Sequence, residues 1–219
     1  MILYHCYNAR SLRPLWALEE MGLSYELKML PFPPRVLAKD YFEVNPLGTI
    51  PAFRDGETFM TESAAICEYL AAKYGPTPLA VTPQEPEFGA YLNALYFGEA
   101  TLTFPQTLVL RYTRLEPPER RNPQVAEDYA RWFNGRLKAV MRRVQSNDFI
   151  CAARFTMADI SVGYALLLAR NLGIDGEFTP ALRAYWQRIT AREGFARAMA
   201  AQAKHAEALG LRRSAIPSA

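Results

Sequence analysis

At 219 residues, half of them apolar, the chain has enough material for a sizeable core in one large domain or two small ones. Its formal net charge is only +3, and the basic residues are dispersed among acidic ones without an RNA-binding signature, which argues against a nucleic-acid partner. No apolar run approaches the roughly 18 residues of a membrane span, and the N-terminus carries neither a basic segment nor a sustained apolar one. Three cysteines without zinc spacing, and only His5 and His205, speak against a metal cluster; the expected setting is cytoplasmic and reducing.

Residues 1–4 are short, apolar and strand-compatible. From Ser11, the apolar positions Leu12, Leu15, Trp16, Leu18 and Met21 recur at helical spacing, and Gly22 closes the helix. Residues 25–30 alternate loosely before Pro31, Pro33 and Pro34 break the chain, and a short helix is expected over 35–42. Two apolar runs, 50–53 and 58–60, flank Asp55-Gly56, a pair suited to a hairpin turn that needs positive backbone angles. Pro51 cannot donate to a ladder and belongs at a strand start or edge, which makes Ile50 a candidate main-chain clamp. Ser63 is the expected N-cap of a helix carrying Ile66, Tyr69, Leu70 and Tyr74 and ending at Gly75.

The order strand, helix, strand, helix, strand, strand, helix, with a right-handed crossover, predicts an α/β thioredoxin-like domain over residues 1–75. Residues 76–86 are rich in proline and read as a linker. Beyond it strand signals vanish, and an all-α helical bundle is expected over 87–219. Its helices fall at 87–114, bent or broken at Pro105, then 122–145, 157–171, 180–192 and 195–209. Thr156 with Asp159 three residues later has capping-box spacing, a structural role worth about 1 kcal/mol. The tail 212–219 is expected to fray.

The N-terminus of a helix offers unpaired N–H groups and partial positive charge to a carboxylate. Glu62 beside it suits an ammonium. An ammonium and a carboxylate on one carbon describe an amino acid, and a clamp at Ile50 adds main-chain pairing, so the residues point to a peptide-like ligand with a free α-amino acid end. For Ser63 alone, an ordinary capped helix is the plainer reading. The run Gly48-Thr49-Ile50-Pro51-Ala52-Phe53, the Asp55-Gly56 hairpin and Glu62-Ser63-Ala64-Ala65-Ile66 together resemble the glutathione-binding half of the cytosolic glutathione transferase superfamily. The resemblance implies glutathione as co-substrate, a cis bond before Pro51, and Ile50 paired with the cysteinyl part. It also implies Glu62 and Ser63 on the γ-glutamyl end, a homodimer, and a buried capping element like that at Thr156 and Asp159.

Such an enzyme must ionise a thiol. A two-unit fall in thiol pKa takes about 2.7 kcal/mol, which one or two hydrogen bonds to the anion plus a helix dipole can supply. In the family the donor lies after the first strand or at the start of the first helix, here Cys6-Tyr7-Asn8-Ala9-Arg10-Ser11. Ser11 is the first expectation, with a plain N-cap role as its alternative. The Ser11-Leu12 portion also resembles beta-class transferases, but their preceding cysteine is Arg10 here, which excludes a mixed disulfide at that position. The alpha-class tyrosine position holds Cys6, and the earlier serine of related bacterial and fungal enzymes is Ala9. Tyr7 is a candidate phenolic donor or a core aromatic, Asn8 an amide donor or an Asx turn, and Arg10 a thiolate partner or a solvated charge. Cys6 would form a mixed disulfide with glutathione only if exposed and ionised, and burial is the expectation.

Arg35 and Lys39 are candidates for the glycyl carboxylate, or else a solvated helix face. Thr49 stands where many relatives carry a basic residue, so that contact is expected to be weaker. Tyr96, Phe104, Leu108 and Tyr112, with Arg111 among them, are candidates for a second-substrate pocket, although such a stripe also suits a core or interface. The reading is a glutathione transferase-like enzyme that joins glutathione to a small, hydrophobic electrophile, without metal, nucleic acid or membrane. A glutathione-dependent peroxidase or disulfide reductase, and a non-catalytic binding module, are the alternatives.

Overall fold

A computed structural model of the protein describes residues 1–211; the tail 212–219, expected to fray, lies outside the described residues. The chain divides into two compact units, one joining residues 1–77 to residues 191–211, the other containing Pro78–Thr190.

In the first unit β1 (Ile2–His5), α1 (Leu12–Met21), β2 (Glu26–Met29), α2 (Pro34–Leu37), β3 (Ala52–Asp55), β4 (Thr58–Met60) and α3 (Ser63–Lys73) follow in chain order. The sheet order is β2-β1-β3-β4, with β1 parallel to β2 and antiparallel to β3, the arrangement the element order predicts. Leu3 pairs with Leu27 on one side and Phe53 on the other, and all three are buried. The helix expected over 35–42 is instead α2 followed by a 3₁₀ turn, Lys39–Glu43. Ala38 leaves helical angles between them, and its methyl enters a cluster with Cys6, Ala9, Tyr41, Ile50 and Ala52. The hairpin closes at Asp55 and Thr58, with Gly56 at φ +57°. Asp55 then accepts from the Tyr69 and Tyr74 hydroxyls and the Lys73 ammonium, all within 2.8 Å, which holds its carboxyl down at about 2.

The final helix, α9 (Glu193–Ala208), corrects the expected domain boundary. It belongs with the sheet unit, because Phe195 packs edge-on against Trp16 of α1 at 4.8 Å and Arg192 makes a two-pronged ion pair with Glu20, at 2.9 and 2.8 Å. Gly194 allows this approach: a Cβ there would lie 2.5 Å from the Glu20 side chain.

Strand alternation puts His5 on the same face of β1 as Leu3, inside the core. Its Nε2 meets the side-chain oxygen of Gln202 on α9 at 3.0 Å, and its Nδ1 meets the Ser11 hydroxyl at 2.7 Å. Burial pushes the imidazole from 6.5 down to about 4, so the ring is neutral at pH 7.

The second unit contains α4 (Phe88–Tyr96), α5 (Phe104–Leu110), α6 (Pro123–Val144), α7 (Met157–Leu172) and α8 (Pro180–Thr190). Pro105 neither ends nor isolates the run expected over 87–114. A π-helical segment, Phe97–Thr103, leads into α5 with Pro105 in its first turn, and a second, Arg111–Leu115, follows. The widened turn accommodates a residue without an N–H. Gly98 within it packs on α7, where a Cβ would come within 2.4 Å of the Ser161 hydroxyl oxygen. Asp159 of α7 is fully buried and accepts from the Thr156 N–H at 2.8 Å and hydroxyl at 3.1 Å, the Ile150 N–H at 3.0 Å and the Tyr185 hydroxyl at 2.9 Å. No described helix is long and apolar enough to cross a membrane.

These two buried polar centres generate predictions. Asp159→Ala strands four donors rather than one, so we expect a loss of roughly 3 kcal/mol and a fall in Tm of about 6–12 °C, measured by calorimetry. For His5, the unfolded chain takes up a proton below about pH 6.5 that the folded chain refuses until about 4, so stability falls with pH across that window. The loss is roughly 2 kcal/mol between pH 7 and pH 5 in urea unfolding, and His5→Gln removes that part of the pH dependence.

Candidate active site

Three chain segments meet at the carboxyl ends of β1 and β2. The turn after β1 and the Ile50 segment share the cluster that holds Cys6, Ala9 and Ile50 together. The first turns of α1 and α3 are joined by Arg13, whose guanidinium donates to the Ser63 hydroxyl at 3.2 Å.

The Ile50–Pro51 bond is cis. Ile50 buries its side chain, yet neither its N–H nor its C=O is hydrogen-bonded among the described residues, which leaves a strand-like donor and acceptor just ahead of β3. The Ser63 N-cap expectation is corrected by one residue. Helix α3 starts at Ser63 itself, after Glu62 in an extended conformation, and Ser63 is buried. The helical ladder begins with the Ile66 N–H on the Glu62 carbonyl, so the N–H groups of Ala64 and Ala65 precede it. Glu62 is exposed. Arg13 carries no sequence signal of a site residue: an arginine in the first turn of an apolar helix looks like a solvated residue until its full burial is seen.

Ser11 departs most from expectation. It is fully buried, has helical angles, and makes no side-chain cap. The acceptor on Gln202 requires that His5 Nε2 carry the ring's one proton, so Nδ1 is the acceptor for the Ser11 hydroxyl. The Ser11 oxygen in turn accepts from the Cys6 N–H at 3.4 Å. A hydroxyl has one proton, and here it is given to His5, so Ser11 has none to offer a thiolate. Cys6 is buried as expected: its thiol lies 3.5 Å from the Pro31 carbonyl, and burial pushes its pKa far upward. That environment opposes a mixed disulfide.

Asn8 sits at φ +52°, a left-handed conformation that asparagine tolerates. Its backbone N–H donates to Gln202 Oε1 at 3.0 Å, and its Oδ1 accepts from Gln202 Nε2 at 2.8 Å. Its Nδ2, carrying two protons, makes no hydrogen bond among the described residues, and the same holds for the phenol of the half-buried Tyr7. Arg10, half-buried, begins α1's approach, and its carbonyl accepts from the Arg13 N–H at 3.1 Å. The exposed Arg35 and Lys39 lie one helical turn apart, with the Lys39 ammonium on the Arg35 carbonyl at 3.0 Å. Thr49 is exposed, but its carbonyl and hydroxyl both accept from Asn45 Nδ2, at 2.7 and 3.2 Å.

In the helical unit, Tyr96 and Phe104 are about half exposed and Leu108 and Tyr112 partly buried. Arg111 is ion-paired to Glu116 at 2.7 Å and lies over the Tyr112 ring, so it is engaged by a carboxylate of its own chain.

A family model described as the glutathione S-transferase N-terminal domain matches residues 9–73. Glutathione S-transferase 3 of Schizosaccharomyces pombe is 35% identical over 184 residues, covering 78% of this chain and 75% of its own. Among solved structures, the ternary complex of BphK, a bacterial enzyme of the same kind, superposes with a TM-score of 0.82 at 27% identity, over 93% of this chain and 100% of that one. A sphingomonad glutathione S-transferase complexed with glutathione gives 0.81 at 26% identity, over 93% and 99%. With that identity extending across both units, and with a cis bond before Pro51, the chain belongs to the glutathione S-transferases, enzymes that conjugate glutathione.

Proposed function

We propose that the site binds glutathione with its cysteinyl main chain on the unpaired N–H and C=O of Ile50 and its γ-glutamyl end at Glu62 and Ser63. The glycyl carboxylate then meets Arg35 or Lys39, and Thr49 contributes through its backbone position. The thiolate is held by Asn8 Nδ2, with the Tyr7 phenol as a second donor and Arg10 adding charge nearby. The single observation that carries this assignment is proton availability: Ser11 has spent its proton on His5, whereas the Asn8 amide retains two. An amide donor stabilises the anion without a competing ionisation of its own, since a carboxamide does not titrate.

The reaction is attack of the thiolate sulfur on an electrophilic carbon, forming a carbon–sulfur bond as the leaving group departs with its electron pair or an activated double bond accepts it. For the electrophile, the exposed faces of Tyr96 and Phe104 with Leu108 and Tyr112 provide apolar surface. Because Arg111 is already engaged by Glu116, a carboxylate it shares with Arg120, we favour an uncharged, hydrophobic electrophile over an anionic one. The family further implies a homodimer, which sedimentation would register as twice the chain mass.

The test is the pKa of bound glutathione's thiol, followed by its ultraviolet absorbance against pH. Asn8→Gly keeps the left-handed turn and deletes the amide. It should raise the bound thiol pKa by about one unit and lower kcat/KM at neutral pH about tenfold. Tyr7→Phe should raise it less, and Ser11→Ala less than Asn8→Gly. If Ser11→Ala gave the largest rise and Asn8→Gly none, the thiolate assignment would return to the serine.

A further inference from the structure

We propose that Gln202, on the last helix and 194 residues from Asn8 in sequence, is a positioning residue that decides which atom of the Asn8 carboxamide faces the thiolate. This rests on the reading that Asn8 is the thiolate donor.

A primary amide has two nearly isosteric ends, and an unconstrained asparagine would present its oxygen as readily as its nitrogen. Oxygen toward a thiolate is repulsive; nitrogen is attractive. Here the choice follows from one fixed donor. The Asn8 backbone N–H cannot be anything but a donor, and it points at Gln202 at 3.0 Å, so the atom of Gln202 facing it must be oxygen. The same oxygen receives the His5 Nε2–H at 3.0 Å, which closes its two acceptor positions. Gln202 must therefore turn its nitrogen to the Asn8 side chain. That nitrogen finds the Asn8 Oδ1 at 2.8 Å, and the Asn8 Nδ2 is left on the far side, free of any described partner.

Gln202 is fully buried and is the only described residue that hydrogen-bonds the Asn8 side chain. It grips the backbone and the side chain of the same left-handed residue, so the position and the polarity of the donor are set by one side chain. Its own carboxamide is held in turn by the neutral His5, whose remaining nitrogen is occupied by Ser11. The row Ser11, His5, Gln202 and Asn8, its first three members buried, thus carries orientation from α9 to the loop after β1, and no proton need move along it.

The experiment is a cycle on the full chain with glutathione as the probe. Gln202→Met fills similar volume without hydrogen bonds, and Gln202→Glu preserves both acceptor contacts but, once ionised, has no proton for Asn8 Oδ1. Each is measured for Tm, for the bound thiol pKa across the alkaline range, and for kcat and KM separately. In whichever of the two folds, the bound thiol pKa rises by about one unit and kcat at neutral pH falls about tenfold. KM for glutathione changes less than about threefold, because the Ile50 and Ser63 contacts remain. In an Asn8→Gly background the same Gln202 substitutions shift the thiol pKa no further, as required of a residue acting through Asn8. If Asn8→Gly raises the thiol pKa while the folded Gln202 variants leave it unchanged, or if the two effects add in full, Gln202 is merely structural and the inference is overturned. If neither Asn8→Gly nor the Gln202 variants shift it, the assignment of Asn8 itself falls, and the positioning role with it.

Discussion

The buried, neutral imidazole of His5 is the constraint on which the rest of the site depends. It sits where strand alternation calls for an apolar side chain, fully enclosed and with its pKa driven down to about 4. A neutral imidazole has one donor and one acceptor, and both are used: the donor faces Gln202 of α9 and the acceptor faces Ser11 at the start of α1. The start of α1, six residues away, and α9, 197 residues away, are thereby tied to one ring on β1. Because each partner has a defined polarity, the imidazole also dictates which protons stay available nearby. The tautomer removes the Ser11 hydroxyl from consideration, and it shares its cause with the open Asn8 amide: the oxygen of Gln202 that the Asn8 backbone N–H fixes.

Much of the fold was legible because it rests on local chemistry. Asp55-Gly56 demands a hairpin, Gly22 ends α1 at φ +64°, and the βαβ period places the sheet; each is a short-range requirement. The membership of α9 was not legible, since an apolar stripe announces that a helix is covered without saying by what. Its partner is specified by the pairing of Arg192 with Glu20 and of Phe195 with Trp16, contacts that span more than 170 residues. The same is true of Pro105. Its lack of an N–H predicts disruption, but not that a π-helical detour, with Gly98 packed against Ser161 of α7, takes the place of a break.

The site divides along similar lines. Ile50, Pro51 and Ser63 could be marked as candidates because the roles proposed for them are backbone roles, announced by a proline and a helix start; Glu62 was marked by its carboxyl beside that start. The thiolate donor could not, because the choice among Tyr7, Asn8, Arg10 and Ser11 is a matter of counting protons, and a count requires the partners. Ser11 is the right residue type at the right place, yet its proton is spent inside the core. His5 and Gln202 carried no signal as site residues at all. One was weighed only as a metal ligand, and the other lies on a helix assigned to a different domain. Arg13 was equally hidden, and its burial against Ser63 shows α1 bracing the start of α3.

A core of leucine and methionine in place of His5, Ser11 and Gln202 would hold the unit together without the pH-dependent loss that a buried imidazole brings, since polar groups in a core seldom add more stability than apolar groups of the same shape. What apolar packing cannot do is choose between the two ends of a carboxamide. Dispersion does not distinguish oxygen from nitrogen in atoms of nearly equal size; a hydrogen bond of fixed polarity does. The row from Ser11 to Asn8 is therefore better understood as a device for orientation than for stability. Its placement explains its composition: every member has both a donor and an acceptor, so polarity set at the Asn8 backbone N–H propagates without ambiguity to the His5 tautomer and the Ser11 proton. The disturbance to the core is the consequence of delivering a correctly turned amide to a loop that no regular element supports.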